Sequence, residues 1–437
     1  MANPSNHTHA RAPWRWPLHW QILTALALGI TSGLAIPDGA RLGPLDPIDA
    51  FGFLGDLFLR ALKMVIVPLL AGSIVTGVAG LGDARTLGRL FGRTFAWYMG
   101  TSLLAILVGL LLVNLIQPGY ADGVPVGETM GLQADVSQID ENLQGRGAGD
   151  LVAIVLRMIP TNPVAAAAEG DMLPLIVFCM LFGAAITMLP SELRNPQLRW
   201  WEGLFAIMMR ITGWVIRFTP LGVFGLIARI AASSGVEAFA PLARFALTVV
   251  LALSFHSLIT LPLLLRLVAK VSPARHARVM APALMTAFTT RSSSATLPLT
   301  MECVEHGAGV SNRVTSFVLP LGATVNMDGT ALYECVSALF IAQAYGIVLG
   351  PVEQFLVVVT ALLASIGAAG IPSAGLVMIS IILSTVGLPL EGVALILAVD
   401  PLLDMLRTCV NVLSDSCGAV AVAVREGETD LYPEIQE

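Results

Sequence analysis

Ionisable and polar side chains recur along one stretch of an otherwise apolar segment near the C-terminus. At about 100° per residue they share one face of a helix, and they are Asp400, Asp404, Arg407, Thr408, Asn411 and Asp415. A charged group at a bilayer centre costs about 2.5–3.5 kcal/mol, so four facing lipid would cost on the order of 10 kcal/mol. They are therefore expected to face protein, ions or water, which makes this stripe a candidate binding site. A network that only joins helices would favour balanced charge, whereas the acids here outnumber the arginine and call for a cation.

The composition of the chain places this stripe in a membrane. Of 437 residues, 56% are hydrophobic and 12% are charged, against about 25% charged in soluble domains. Apolar stretches of roughly 18 residues or more recur, which predicts an all-α polytopic membrane protein. The net charge of −6 comes without a basic run, so nucleic acid is not an expected partner. The five cysteines stand singly in apolar surroundings and are expected to pack, with neither a disulfide nor a zinc site.

Apolar segments separated by polar connections predict six helical regions before residue 272. They span residues 16–36, 49–81, 87–115, a region broken into 150–159 and 173–188, then 197–233 and 239–271. Arginine and lysine concentrate in the N-terminus and in connections 83–93, 191–199 and 266–278, whereas connections 37–46 and 117–149 are neutral to acidic. By the positive-inside rule, the N-terminus is expected to be cytoplasmic and the acidic connection 117–149 to be outside. The protein is expected to be a multi-pass protein of the cell (inner) membrane whose C-terminus is cytoplasmic as well.

The pattern changes after residue 271. Two apolar segments, 272–307 and 352–388, are interrupted midway by small polar or Gly/Pro clusters, at 289–296 and 365–375. Each half is too short to cross a hydrocarbon core of roughly 30 Å. Each segment is followed by a long helix with its own polar interruption, at 326–330 in the first case and in the stripe of 400–415 in the second. This internal repeat of hairpin and helix is typical of secondary transporters whose broken helices meet at the midplane.

Four motifs in these segments carry a family resemblance. They are Arg-Ser-Ser-Ser-Ala-Thr-Leu-Pro at 291–298, Asn-Met-Asp-Gly-Thr at 326–330, Gly-Ile-Pro-Ser-Ala-Gly at 370–375, and the stretch 404–415. In order and spacing the chain resembles the dicarboxylate/amino-acid:cation symporter family, and the resemblance covers nearly the whole chain. It implies eight transmembrane helices plus two re-entrant helical hairpins in an inverted repeat. It also implies a homotrimer with an elevator mechanism, in which a mobile transport domain slides past a fixed scaffold.

The resemblance also implies a division of the chain. Residues 1–15 would be a cytoplasmic tail, 16–86 scaffold helices 1 and 2, 87–116 helix 3 of the transport domain, and 117–149 an extracellular loop. Residues 150–235 would be scaffold helices 4 and 5. Residues 236–425 would be the transport core, with helix 6, the first hairpin, helix 7, the second hairpin and helix 8, and 426–437 a cytoplasmic tail.

Residues at the motif positions define an expected substrate site. Arg407 offers a planar fork of donors suited to a carboxylate, although it could instead pair with acids of its own helix. The resemblance implies that Arg407 holds the substrate's side-chain carboxylate and Asp404 its amino group, which points to aspartate or glutamate. It further implies contacts to the substrate from the first hairpin, the second hairpin and helices 7 and 8, at Arg291, Ser292, Ser293, Thr330, Ile371, Gly375, Thr408 and Asn411. For the serines, a role as helix N-caps is the plain alternative, and capping uses the same free N–H groups as anion binding.

Oxygen-bearing residues suited to a hard cation form three sets by the same resemblance. The first set is Asp415 with the backbone carbonyls of Gly322, Asn326 and Asn411. The second is Asp328 and the Asn326 side chain with Tyr98, Thr101 and Ser102 of helix 3. The third consists of backbone carbonyls of Thr324, Ser365, Ile366 and Ala368. The expected coupling ion is sodium, and no organic cofactor is expected.

The sequence therefore predicts a symporter that takes up L-aspartate or L-glutamate with sodium, and not an enzyme. Its nearest rival is a proton-coupled carrier of glutamate, aspartate or a C4-dicarboxylate. An intramembrane hydrolase is disfavoured because the serines of 292–294 have no histidine or lysine base nearby. A passive anion channel would not need cation-liganding positions. Arg291 in the first hairpin, with Met405 in helix 8, matches archaeal and many bacterial members, so potassium counter-transport stays open.

Overall fold

The structure is a computed structural model that describes residues 18–36, 47–79, 84–129, 156, 159–169, 172–234, 239–367, 374–397, 399–429 and 431–432. The first half contains α1 (Leu18–Leu34), α2 (Pro47–Ala79), α3 (Ala84–Ile116), the antiparallel pair β1 (Tyr120–Ala121) and β2 (Val124–Pro125), α4 (Val126–Thr129), α5 (Pro163–Glu169), α6 (Met172–Thr187), α7 (Ser191–Arg217) and α8 (Thr219–Ser234). The second half contains α9 (Phe239–Phe255), α10 (Leu261–Leu264), α11 (Pro273–Thr290), α12 (Ser293–Glu302), α13 (Asn312–Val325), α14 (Asp328–Ala344), α15 (Pro351–Gly367), α16 (Ala374–Val386), α17 (Val393–Leu397) and α18 (Asp400–Glu426). Wider π-helical turns at His256–Thr260, Leu265–Ala269 and Cys303–Gly307 continue α9, α10 and α12, and a 3-10 turn at Leu390–Gly392 precedes α17.

Several of these helices have the length and apolarity of membrane spans. Among the described residues, two helices are each long and apolar enough to cross a membrane, Leu90–Ile116 and Ala240–Ala269. A third candidate is the pair Ser191–Val215 and Thr219–Arg229, which is bent by 47°. Shorter apolar helices occur at Trp20–Leu34, Val67–Ala79, Pro174–Thr187 and Pro351–Ser365. The described part of the chain is thus mostly helical, with helices long and apolar enough to cross a membrane. The count of eight spans stays a prediction.

The bend between α7 and α8 corrects one sequence-based expectation, that of a continuous helix over residues 197–233. The chain turns at Phe218, whose N–H donates to the Val215 carbonyl at 2.9 Å in a tight three-residue pattern. Pro220 follows within the first turn of α8. Because proline has no N–H and its ring clashes with the preceding turn, it favours the start of a helix over its continuation.

The helices pack in two groups. In one group α1 lies along α8, and α2 packs against α6, α7 and α8. The approach of α1 to α8 requires glycine, because a Cβ at Gly33 would lie 2.4 Å from the carbonyl oxygen of Ala228. In the other group α3 packs against α14, and α18 packs against α11, α13 and α14. The groups touch where α2 contacts α15 and α16.

Helix breaks occur in the second group where the sequence predicts them. The first hairpin, α11 with α12, reverses at Arg291, which has φ of +53°. The second hairpin, α15 with α16, has its connection at 368–373, outside the described residues. Between α13 and α14, Asn326 and Met327 leave the helical conformation, with φ of −104° and −123°. These breaks free backbone N–H and C=O groups beside the polar stripe of α18.

Candidate functional site

The polar stripe of α18 lies in the protein interior. Its six side chains are all buried: Asp400, Asp404, Arg407, Thr408, Asn411 and Asp415. Leu402 on the same helix is 60% exposed, so the apolar face of α18 points away from the core. One helix therefore presents acids, a guanidinium, a hydroxyl and an amide to the helix breaks around it, as its periodicity predicts.

Arg407 is held by the acids of its own helix. Its Nη2 donates to Asp400 at 2.9 Å and to Asp404 at 2.8 Å. The guanidinium carbon lies 3.9 Å from the centre of the Tyr333 ring, in a cation–π contact. Nε and Nη1 of Arg407 have no hydrogen-bond partner among the described residues. The own-helix pairing that the sequence left open thus occurs here, and it uses only part of the guanidinium.

The start of the second hairpin's returning helix lies against the unpaired side of Arg407. A Cβ built at Gly375 would stand 2.6 Å from Arg407 Nη1. Glycine therefore lets the α16 backbone approach the guanidinium closely. Two further expected residues of this hairpin, Ile371 and Ala368, lie outside the described residues, and the backbone of Ile366 belongs to the last turn of α15.

The tip of the first hairpin combines a helix cap with a buried arginine. Ser292 caps α12, since its hydroxyl accepts from Ala295 N–H at 3.1 Å. Ser293 follows as the first helical residue and is buried. Arg291 is also buried, and its Nη1 has no partner among the described residues. The capping role of Ser292 is therefore real, and the tip keeps an unpaired donor as well.

Asn411 of α18 caps the helix that begins at Asp328. Its Oδ1 accepts from the N–H groups of Gly329 at 2.8 Å and Thr330 at 3.4 Å. Its Nδ2 donates to the Thr330 hydroxyl at 3.1 Å. The hydroxyl of Thr408, one turn earlier, donates to the Asp404 carbonyl at 2.8 Å. The three bonds of Asn411 join α14 to α18, so the two expected sites share one contact.

Asp328 lies at the centre of a second buried cluster. Its Oδ1 accepts from Ser102 at 2.6 Å and from Thr101 at 3.3 Å. Its Oδ2 accepts from Ser414 at 2.5 Å and faces His256 Nε2 at 3.1 Å. All of these side chains are buried. The expected residues of α3 and α14 are therefore brought together by long-range packing.

Asn326 joins this cluster to Asp415. Its Nδ2 donates to Asp415 Oδ1 at 2.9 Å, while its Oδ1 faces Thr101 and Ser102 at 3.4 and 3.5 Å. Gly322 lies against Asp415 too, because a Cβ there would be 2.5 Å from Asp415 Oδ1 and 2.6 Å from the Tyr98 hydroxyl. The first and second expected cation sets thus form one continuous group of oxygens.

Three of the expected cation ligands use their side chains elsewhere. The Tyr98 hydroxyl donates to the Val318 carbonyl at 2.7 Å, although it remains next to Asp415. The Thr324 hydroxyl donates to Leu321 O at 3.0 Å. Ser365 likewise donates to Leu362 O at 2.8 Å. For Thr324 and Ser365 this does not oppose the expected role, since that role belongs to their backbone carbonyls.

Sequence reasoning missed four buried residues of the site: His256, Tyr333, Glu334 and Ser414. His256 lies at the start of a π-helical turn and has no partner for Nδ1 among the described residues. Both carboxyl oxygens of Glu334 are likewise without a partner among the described residues. A signal existed for both, because an ionisable residue within an apolar span is a functional candidate by default.

The partners of Asp328 and Asp415 indicate which kind of ion the second cluster suits. Among the described residues, no group of three His, Cys, Asp or Glu side chains is arranged for a metal ion. Asp328 and Asp415 have hydroxyl groups, the Asn326 side-chain amide and His256 as partners, and the hydroxyls and the amide carry neutral oxygens. A few carboxylates among neutral oxygens suit a hard, weakly held cation better than a transition metal.

Comparison with known proteins agrees with this chemistry. The sequence model of the sodium:dicarboxylate symporter family matches residues 18–425. The chain therefore belongs to this family, and the resemblance carried by the four motifs is confirmed.

Named relatives are similar to this chain over most of their length. The proton/glutamate-aspartate symporter of Escherichia coli (strain K12) is 35% identical over 95% of this chain and 94% of its own. Excitatory amino acid transporter 3 of Homo sapiens is 38% identical over 92% and 84%. The proton/sodium-glutamate symport protein of Geobacillus stearothermophilus is 34% identical over 94% and 95%.

Proposed function

We propose that this protein is a secondary active symporter that couples uptake of aspartate or glutamate to inward sodium flux. Relatives similar over nearly the whole chain are named for glutamate or aspartate transport, and the family is named for sodium. The observation that carries the proposal is the buried guanidinium of Arg407, which keeps unpaired N–H groups beside Asp404. A buried arginine with unused donors next to an acid suits a ligand with both a carboxylate and an ammonium.

Substrate binding redistributes the contacts of Arg407. The side-chain carboxylate of the substrate takes the unpaired N–H groups, and the ammonium takes Asp404. The α-carboxylate lies at the first-hairpin tip, where Arg291 has a free Nη1 and α12 begins. A helix N-terminus and a guanidinium both favour an anion. The second hairpin covers the substrate, and this is supported by Gly375 at the start of α16, which lies against Arg407.

Sodium occupies the oxygen group around Asp328 and Asp415. Among the described residues, the partners of these two buried carboxylates are hydroxyls, the Asn326 amide and His256, so burying both negative charges is costly. Sodium lowers that cost, and it orders the α13–α14 break that Asn411 joins to the substrate stripe. Sodium and substrate therefore raise each other's affinity, since coupling between two sites is reciprocal.

The architecture of transport follows the family's elevator. Residues 87–116 and 236–425 form the moving transport domain, and residues 16–86 and 150–235 the scaffold of a homotrimer. The separate packing of α1, α2 and α6–α8 against each other, and of α3 against α14, supports this division. Both termini lie in the cytoplasm, because the connections on their side are the basic ones.

A proton-coupled symporter is the second candidate. It is favoured by Glu334, buried without a hydrogen-bond partner among the described residues, and by His256 beside Asp328. Burying an ionised carboxylate without donors is costly, and a carboxyl that carries a proton avoids this cost. The names of the bacterial relatives include the proton, and one of them names both ions.

Flux into proteoliposomes distinguishes the two candidates. We expect accumulation of labelled aspartate when an inward sodium gradient is imposed at equal pH on both sides. A matched preparation receives an inward proton gradient without sodium. Accumulation in the second preparation alone would show that the proton, and not sodium, is the coupling ion. If the protein binds aspartate but neither gradient causes accumulation, the symport proposal is overturned.

A further inference from the structure

The chain reverses direction after α18 and returns over the ends of neighbouring helices. Gly427, with φ of +95°, ends α18, and the N–H of Glu428 donates back to the Ala423 carbonyl at 3.1 Å. This is the pattern by which glycine terminates a helix and turns the chain. We call residues 427–429 and 431–432 the C-terminal clasp.

Tyr432 of the clasp is buried and joins three elements. Its backbone N–H donates to the carbonyl of Ala308, just after the first hairpin, at 2.8 Å. Its hydroxyl lies 2.5 Å from Nδ1 of His276, in the first turn of α11. Nε2 of His276 lies 2.9 Å from the Ser416 hydroxyl of α18. One residue therefore connects both arms of the first hairpin with α18.

The direction of each hydrogen bond in this chain can be assigned. Burial raises the pKa of Tyr432, while Arg275 acts weakly in the opposite direction, so the phenol keeps its proton at neutral pH and donates to His276. The Ser416 hydroxyl donates to Leu413 O at 2.8 Å, so it accepts from Nε2–H of His276. Every donor has an acceptor, which makes the contact specific for tyrosine and histidine.

Acidic residues add a second set of links. Glu428 accepts from the backbone N–H of Ser311 at 2.9 Å and from its hydroxyl, at the N-cap of α13. Glu426 pairs with Arg93 of α3 at 2.6 Å and with Arg313 of α13 at 3.1 Å. Arg313 is 69% exposed, so that pair contributes little. The buried Tyr432 contacts therefore carry most of the connection.

We propose that the C-terminal clasp positions the first hairpin by holding the bases of its two arms together against α18. A helix of the length of α11 spans about 27 Å, so movement at its base displaces Arg291 and the serines at its tip. While Tyr432 is docked, the bases of α11 and α12 stay packed against α18. When Tyr432 is released, these bases separate from α18. Only the consequence for substrate rests on the proposed function.

Cys303 provides a native reporter for this movement. It lies in the π-helical turn before Ala308, and Ala308 N–H donates to its carbonyl at 3.0 Å. Cys179, Cys335 and Cys417 are buried, so in a Cys409→Ala background Cys303 is the one cysteine that is not fully buried. The rate of its labelling by a membrane-impermeant maleimide, in full-length protein in nanodiscs, measures how often the base opens.

Three variants test the clasp. Loss of one net hydrogen bond in Tyr432→Phe should raise the labelling rate about fivefold. Removal of residues 429–437 should raise it further, because the docked tyrosine is lost entirely. Removal of residues 433–437 keeps every contact described above and should leave the rate unchanged. Equal rates in all three proteins would overturn the proposal, as would a rise in the 433–437 deletion alone.

A second readout separates positioning from general damage. In Tyr432→Phe, equilibrium aspartate affinity at saturating sodium should stay within about twofold, because the substrate contacts remain, while gradient-driven accumulation falls. A parallel loss of affinity, with unchanged Cys303 labelling, would contradict the clasp. If the longer deletion does not fold, Tyr432→Phe and Glu428→Gln decide alone, and unchanged labelling in both overturns the proposal. Failure of aspartate transport in the unaltered protein would leave the labelling comparison intact.

Discussion

The two halves of the polar stripe on α18 handle buried negative charge in opposite ways. In the N-terminal half, Asp400 and Asp404 share the guanidinium of Arg407, which belongs to the same helix. In the C-terminal half, Asp415 accepts a hydrogen bond from the Asn326 side chain. The nearby Asp328 accepts hydrogen bonds from hydroxyl groups and contacts His256. Neither acid has an arginine or lysine ion pair among the described residues.

This difference assigns a separate task to each half. In the first half, Arg407 already supplies a positive charge to the acids. This half therefore selects a ligand whose carboxylate and ammonium form stronger contacts with Arg407 and Asp404 than the two side chains form with each other. The second half has no arginine or lysine partner among the described residues and gains most from a mobile cation, because buried charges without partners are costly. Asn411 joins the halves by capping α14, which provides a physical route for their coupling.

The largest effect is expected from removing the counter-charge of the first half. Arg407→Cys should abolish binding of acidic substrates and admit a small neutral amino acid, since losing a charge-assisted pair costs roughly 3 kcal/mol or more. Arg407→Lys is the matched control, because it keeps the charge and loses the planar fork. Isothermal titration of purified protein with aspartate and serine measures both. Unchanged aspartate affinity in the cysteine variant would remove Arg407 from the site.

The selectivity of Asp404 gives the next largest effect. A carboxylate that faces a second carboxylate is repelled, whereas it forms a charge-assisted pair with an ammonium. Succinate should therefore compete with labelled aspartate on the order of a hundredfold less well than unlabelled aspartate does. Asp404→Asn should reduce this difference between succinate and aspartate as competitors. Equal competition by succinate in the unaltered protein would show that Asp404 has another role.

A smaller effect is expected where the second hairpin touches Arg407. In Gly375→Ala the new Cβ would lie 2.6 Å from a guanidinium that two carboxylates hold in place. Overpacking of this kind should weaken aspartate binding about tenfold. Gly213→Ala in α7 is the control, because outside its own stretch of helix no atom of the described residues lies within 4 Å of the new Cβ. Equal affinities in the two variants would place the closed hairpin elsewhere.

The sequence predicts the first half of the stripe better than the second. The face of α18 and the hairpin break at Arg291 follow from local periodicity and from a cluster of small polar residues. Which acid Arg407 contacts could not be decided, because Asp400 and Asp404 are both within reach on the same helix. The apolar span around His256 marks it as a candidate, but its partner could not be predicted because Asp328 is 72 residues away.

The same limit explains the other differences. The break at Phe218 depends on one proline near the middle of an apolar stretch, where helix continuation and a helix start compete. The clasp joins Tyr432 to His276 across 156 residues, and nothing in the local sequence indicates that pairing. Thr101 and Ser102 are ordinary helix residues by local pattern, and only the packing of α3 against α14 brings them to Asp328.

Sodium dependence of substrate affinity tests the central claim, that the second half of the stripe binds the coupling cation. Aspartate affinity of purified protein should rise with sodium at fixed pH, with a slope above about one in a log–log plot if more than one ion is linked. Thr101→Ala with Ser102→Ala should flatten that slope and leave the Arg407-dependent preference for acidic substrates intact. An aspartate affinity that does not change with sodium concentration and increases as pH falls would contradict this claim.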